Sequence, residues 1–113
     1  MTDEIKYIDP RALGSITSGI LMLDDFSKVH EAFEWVLGYP VWTHEFPALQ
    51  SEATAAIDAQ ISGMPHGAVA NWEKTAEFLL RKHGPAVPIK RGSGVRAVDP
   101  VTTAEQIMFG RQP

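Results

Sequence analysis

The chain lacks cysteine altogether, and none of its apolar runs is long. Without cysteine there can be no disulfide bond, no thiolate metal site and no thiol catalysis, which fits a reducing compartment such as the cytoplasm. A membrane-spanning helix needs about 20 consecutive apolar residues, and the polar residues 1–9 show no secretion signal pattern. We therefore expect a cytoplasmic protein with no membrane partner.

An excess of basic charge is also missing, because 10 Lys and Arg face 14 Asp and Glu for a net charge of −4. Direct binding of nucleic acid normally needs a basic face, so we do not expect it. The longest acidic run, Asp24-Asp25, is too short to imitate a nucleic acid. A chain of 113 residues has the size of one domain, and we predict a single domain over 1–113 with an N-terminal arm at 1–14 and a tail at 110–113.

Apolar residues recur at steps of three and four in several segments, which indicates helices packed through one face. The clearest segment follows Asp24 and Asp25, and the carboxylate of either residue can cap a helix N-terminus. The segment ends at Gly38. We expect the second and third helices to form a helical hairpin. The predicted helices cover 25–37, 48–62 and 69–83, with a short terminal helix at 103–109.

Short apolar or alternating runs predict the strands. The dense run at 16–23 is typical of a buried strand, and the alternation at 41–46 of a half-buried one. Residues 87–98 predict a hairpin, and Pro88 places its first strand at a sheet edge. The predicted fold is α+β, a small three- to four-stranded sheet with three main helices packed on it.

Trp35 is the aromatic residue that the helix at 25–37 does not explain. It lies about 180° from Phe26 around that helix, beside Lys28 and Glu31. Either a second layer of the fold covers the indole, or a partner does. Because tryptophan is a frequent interface anchor, we treat Trp35 as an interface candidate, including for a homodimer.

Basic residues surround the glycine-rich turn at 92–94. Glycines allow backbone amides to approach a phosphate, and nearby cations strengthen its binding. The order of glycines and lysine is not that of a Walker loop, and a plain hairpin turn with solvated charges is the simpler interpretation. The candidate residues for binding an anion, such as a small nucleotide, are Lys90, Arg91, Ser93 and Arg96.

A second candidate site combines a histidine with aromatic neighbours. Histidine titrates near neutral pH and can act as an acid or a base. No serine, cysteine or carboxylate stands at a recognisable catalytic spacing, so no catalytic residue is assigned, and packing is the simpler role for the histidine. The candidate pocket residues are Tyr39, Trp42, His44 and Glu45.

A metal site would require His30, Glu34 and His44 to converge. His30 and Glu34 lie about 40° apart on one helix, and zinc accepts both imidazole and carboxylate. Tight local metal motifs are missing, so we predict neither a metal nor another cofactor. In the alternative, His30 flanks the apolar stripe and Glu34 is solvated.

Three stretches of the chain carry a likeness to known proteins: residues 17–26, Val29-His30-Glu31-Ala32 and residues 38–46. Together they resemble a family of short uncharacterised phage and prophage proteins, a domain of unknown function, over roughly residues 13–98. The resemblance implies an accessory protein that acts by binding in the bacterial host cytoplasm.

Its expected partner is a bacterial host protein, which it would antagonise, for example a defence system in the manner of an anti-CRISPR inhibitor. Two alternatives stay open from the residues themselves. One is a protein that binds or sequesters a nucleotide or signal molecule, and the other is a small enzyme that uses His44 and Glu45.

Overall fold

The computed structural model describes residues 4–67 and 69–94. In that part, four α-helices and two strands follow one another along the chain. No helix there is long and apolar enough to cross a membrane. The elements, in chain order, are β1 (Ile5–Ile8), α1 (Pro10–Ser18), α2 (Phe26–Leu37), a 3₁₀ turn (Thr43–Glu45), α3 (Phe46–Asp58), α4 (Trp72–His83) and β2 (Val87–Lys90).

The α+β class is confirmed, but the sheet formed by the described residues has two strands where three or four were predicted. β1 and β2 pair antiparallel, with Ile5 opposite Lys90 and Ile8 opposite Val87. The predicted arm at 1–14 is therefore wrong, since residues 5–8 form β1 and residues 10–14 belong to α1. The expected second hairpin strand at 95–98, the terminal helix at 103–109 and the tail at 110–113 lie outside the described residues.

Helix α1 occupies the centre of the molecule and packs against α2, α3 and α4. Its first turn is capped by Asp9, whose carboxylate accepts the amide of Arg11 at 2.8 Å, with Pro10 in the first helical position. It ends at Gly19, which has a φ of +79°. Leu13 and Ile16 are buried in the core.

The strand predicted at 16–23 is wrong, because residues 16–18 complete α1 and the rest forms the connection to α2. Met22 and Leu23 of this apolar run are buried and Leu21 is exposed, and the run forms a bend rather than a strand. The hydroxyl of Ser15 donates to Arg11 O and accepts the amide of Met22 at 2.8 Å, which turns Met22 into the core. A short run of apolar residues has no periodicity that separates a strand from such a bend.

The helix predicted at 25–37 is confirmed as α2, with Asp25 as its N-cap and Gly38 at its C-terminus. The other two predicted helices correspond to α3 and α4 with shifted ends. Their predicted hairpin is wrong, because α4 packs on α1 rather than along α3. Gly14 allows this contact, since a Cβ there would lie 2.6 Å from Leu79 Cδ1.

The strand predicted at 41–46 is also wrong, and a tight turn takes its place. The amide of Glu45 donates to Trp42 O, and Glu45 Oε1 accepts the amide of Trp42, both at 2.9 Å. This reciprocal pair closes the 3₁₀ turn, and α3 starts directly behind it at Phe46. Local hydrogen bonds of the carboxylate therefore override the alternation of polar and apolar residues.

Candidate functional site

An apolar pocket with a volume of about 280 Å³ lies between α1, α2 and α3. All of its lining residues fall between positions 15 and 50 of the chain. Two of them, Leu21 and Phe26, are 46% and 41% exposed, so the pocket is flanked by apolar surface. The apolar lining residues that matter most are Ile16, Leu21, Phe26, Val29, Phe33 and Phe46.

Phe46 is the residue around which the aromatic wall of the pocket is built. Its ring stacks on Phe33 with a centroid distance of 4.4 Å and an interplanar angle of 1°. Phe26 lies 5.5 Å from the same ring, and His30 meets it edge-on at 5.2 Å. Offset and edge-on arrangements are the favourable ones for aromatic rings, so the wall is held by specific contacts. The buried Glu45 sets its position, since the turn it closes ends at Phe46.

The polar groups in the pocket wall bond to the protein itself. The hydroxyl of Ser15 is engaged in the α1–α2 connection. Gln50 Nε2 donates to the carbonyl of Ile16 at 3.0 Å, which ties α3 to α1. The pocket therefore offers mainly apolar and aromatic surface to a ligand.

His30 and Glu34 hold the chain that leads from α2 to the 3₁₀ turn. His30 Nε2 lies 2.8 Å from the carbonyl of Val41, and Glu34 Oε2 accepts the amide of Val41 at 2.8 Å. A carbonyl only accepts, so the imidazole nitrogen carries the proton and donates, and it has no lone pair for a metal. His30 and Glu34 do meet, at 3.3 Å, but residues 4–67 and 69–94 contain no cluster of three metal-ligating side chains.

The four residues of the predicted His44 pocket do not share one cavity wall. Tyr39 is buried and its hydroxyl donates to Glu52 at 3.2 Å. Trp42 is 53% exposed and packs edge-to-face with His44, with 5.0 Å between ring centroids. Glu45 is 0% exposed, so a substrate has no access to its carboxylate. An acid–base role shared by His44 and Glu45 has no support in this geometry.

Gly92 and Gly94 of the predicted anion loop form hydrogen bonds to carbonyls at the C-terminal end of α2. The amide of Gly92 donates to Trp35 O at 2.9 Å, and that of Gly94 donates to Leu37 O at 3.1 Å. A Cβ on Gly92 would overlap the carbonyl oxygen of Val36. The amides that would hold a phosphate are thus bonded to carbonyls, at the helix end whose partial charge is negative.

The cations of that loop do not converge either. Arg91 Nη1 lies 3.3 Å from the carboxylate of Glu4. Lys90 and Ser93 are exposed, and Arg96 lies outside the part of the chain that the structure describes. The nucleotide site therefore stays a prediction. Of its candidate cations, Arg91 is ion-paired with a carboxylate of the same chain.

Trp35 is half-buried against the sheet of its own chain. Its indole Nε1 donates to the carbonyl of Ile89 at 2.8 Å, and Lys6 Nζ lies 5.6 Å from the ring centroid. The indole is therefore covered in part by a second layer of its own fold, the sheet formed by β1 and β2. An interface at Trp35 stays a prediction, because the contacts of the indole described above lie within its own chain.

The helix predicted at 25–37 includes Phe26 and Phe33, but the sequence pattern did not indicate the pocket, because α1 was not predicted. A local signal for α1 does exist. Asp9-Pro10 is a helix start as well as a turn signal, and Gly19 follows nine residues that include few strand formers.

Comparison with known proteins finds a family match over the part of the chain that forms the pocket. A family model described as a domain of unknown function (DUF7736) matches residues 10–66, which is half of the chain. The chain belongs to this family. No curated protein and no solved structure matches it. The segment matched to DUF7736 runs from the start of α1 past the end of α3, and it contains every residue that lines the pocket.

Proposed function

We propose that this DUF7736 protein acts by binding a partner protein, and that the pocket between α1, α2 and α3 receives an apolar side chain of that partner. The observation that carries the proposal is an open apolar pocket, flanked by exposed Leu21 and Phe26, in the segment that defines the family. Contiguous exposed apolar surface of this kind marks interaction sites.

The size of the pocket favours a side chain over a free small molecule. Sites for drug-sized ligands span about 300–1,000 Å³ and enclose most of the ligand. This pocket has about 280 Å³ and opens to solvent beside Leu21 and Phe26. One aromatic or large aliphatic side chain fills such a volume, and insertion of an anchor into a pocket is how interface hot spots form.

We propose that the partner is a bacterial host protein, and that this chain antagonises it by binding. A component of a defence system is the first candidate. The support for this part is only the sequence resemblance that residues 17–26, 29–32 and 38–46 bear to short phage and prophage proteins. An antagonist that works by occupying a surface needs an apolar anchor site and no catalytic group, which agrees with the pocket described above.

The test compares capture of proteins from bacterial lysate by the wild-type chain and by Leu21→Glu and Phe26→Glu. Both side chains are partly exposed, so a carboxylate there should leave the fold intact, as circular dichroism would check. Phe78→Glu is the matched control, because Phe78 is 45% exposed but lies on α4, away from the pocket.

We expect a captured protein that binds each pocket variant about thirtyfold more weakly and binds the Phe78 variant like the wild type. Equal binding by all three variants would contradict the proposal. So would an apolar small molecule that co-purifies with the protein and is released when it is denatured, because the pocket would then serve that ligand.

A further inference from the structure

The outer edge of β1 presents backbone groups that the described protein does not pair. The carbonyl of Glu4 accepts the amide of Arg91 at 3.0 Å, which makes this a hydrogen-bonded pair of the antiparallel ladder. Such pairs alternate, so Ile5, opposite Lys90, and Tyr7 direct their N–H and C=O groups away from β2. Within residues 4–67 and 69–94, no backbone or side-chain group bonds to them.

The other edge of the sheet is closed, in contrast. The side-chain amide of Gln60 accepts the amide of Lys90 at 2.8 Å and donates to its carbonyl at 3.1 Å. Pro88 has no amide to offer. A covering side chain and a proline both protect a sheet edge from unwanted pairing. β1 has neither of these two, and its one charged residue is Lys6.

The exposed side chains of β1 add apolar surface to its free edge. Ile5 is 53% and Tyr7 is 69% exposed. A sheet of two strands is only marginally stable by itself. An added strand would cover these side chains and bring the sheet to a more usual size.

We infer that a second copy of this chain adds its β1 to this edge, antiparallel and related by a two-fold axis, to give a four-stranded sheet across a homodimer. One register fits the strand, with Ile5 of one copy opposite Tyr7 of the other and Lys6 opposite its own equivalent. In that register every outward-facing N–H and C=O of Ile5 and Tyr7 finds a partner, in four hydrogen bonds. It also pairs a β-branched with an aromatic side chain twice, a favourable combination.

The charges near the edge agree with a second copy as the occupant. An open groove between β1 and α2 is lined by Ile8 and Lys28, and its carboxylates, Asp9 and Glu31, are ion-paired with Arg11 and Lys6. The same register places Glu4 of one copy, which contacts Arg91 in its own chain, opposite Ile8 of the other, at the groove that Lys28 lines. The two Lys6 side chains face each other, but each is paired with Glu31 at 2.8 Å in its own chain, which offsets their repulsion.

The first test is the solution mass of the full chain by light scattering over a dilution series. We expect a species of twice 12.4 kDa that dissociates on dilution, and a monomer at all concentrations for Tyr7→Lys, since a lysine on a free strand edge opposes pairing. Phe78→Lys changes another exposed aromatic residue, on α4, and should dimerise like the wild type. A wild-type chain that is a monomer throughout would overturn the inference.

The second test uses the absence of cysteine in the natural chain. Opposed residues of a pair without ladder bonds lie about 4.5 Å apart at Cα, within the range for a disulfide. Lys6→Cys should therefore form a covalent dimer on mild oxidation, far faster than Phe78→Cys. Equal rates for the two would reject the β1 interface. Phe26→Glu should leave the dimer unchanged, so failure of the pocket proposal and failure of this one are distinguishable.

Discussion

Replacing Gly92 with alanine tests whether the glycine-rich segment closes the end of α2 or is reserved for a ligand. Gly92 has no positive φ, so alanine brings no backbone strain of its own. Its Cβ would overlap the carbonyl oxygen of Val36 and lie 2.5 Å from the carbonyl carbon of Leu37. Backbone atoms cannot rotate away as a side chain can, so the segment must move off α2.

The movement costs the hydrogen bonds from Gly92 to Trp35 and from Gly94 to Leu37. At about 1 kcal/mol net for each bond, the free energy of unfolding should fall by about 2 kcal/mol. At an unfolding entropy of about 2.1 cal/mol/K per residue, that corresponds to a loss of about 8 °C in melting temperature for a domain of this size. Urea unfolding followed by tryptophan fluorescence is a suitable assay, because Trp35 lies at the site of the change.

Gly14→Ala is the matched control for this experiment. Its Cβ also meets a close neighbour, but that neighbour is the end of the Leu79 side chain, at 2.6 Å. The side chain can adjust, and alanine favours a helix by about 1 kcal/mol over glycine, so the net loss should be less than half that of Gly92→Ala. If Gly92→Ala is no more destabilised than this control, the close approach to α2 is refuted. A ligand loop would instead show unchanged stability and a lost response to nucleotide.

Three further predictions concern stability. Asp9→Ala removes the N-cap of α1 and should lower the free energy of unfolding by about 1–2 kcal/mol, as a urea titration would show; an unchanged midpoint would mean that the cap is dispensable. Gln60→Ala removes two hydrogen bonds to the Lys90 backbone and should cost about 1–2 kcal/mol, and a neutral result would place Gln60 in solvent. Burial lowers the pKa of His83, and the charge of the neighbouring lysine lowers it further. The stability that neutral His83 contributes is therefore present above the ordinary pKa of histidine and is lost as the pH falls below that pKa. The urea concentration at the unfolding midpoint should decrease when the pH is lowered from about 7.5 to about 5.5, and His83→Gln should reduce that decrease. Equal decreases in both proteins would argue against the lowered pKa.

Elements whose ends are marked by local chemistry were predictable from the sequence. Helix α2 has Asp25 and Gly38 at its two ends, and both act through bonds to residues within one turn. α4 starts later than predicted because the side chain of Asn71 accepts the amide of Lys74 and caps the helix there. Pro88 correctly indicated an edge strand.

Elements whose stability depends on distant residues were not predictable in this way. β1 pairs with a strand about 80 residues later, and no local pattern encodes that choice of partner. The alternation at 41–46 did not give a strand, because the carboxylate of Glu45 accepts the amide of Trp42, three residues earlier, and closes a turn there. The candidate site depends on both mispredicted segments, since residues of α1 and Phe46 line the pocket.

By itself the sequence determined that this chain has no thiol chemistry, that its fold is of mixed class and where α2 begins and ends, because composition and helix caps act locally. Only the tertiary structure decided that Phe33 and Phe46 stack beside a pocket, that the glycines at 92 and 94 bond to the end of α2, and that the outer edge of β1 has no partner among residues 4–67 and 69–94. Each of those outcomes depends on which distant backbone groups and side chains meet, and that is settled by packing and by the satisfaction of buried hydrogen bonds across the whole chain.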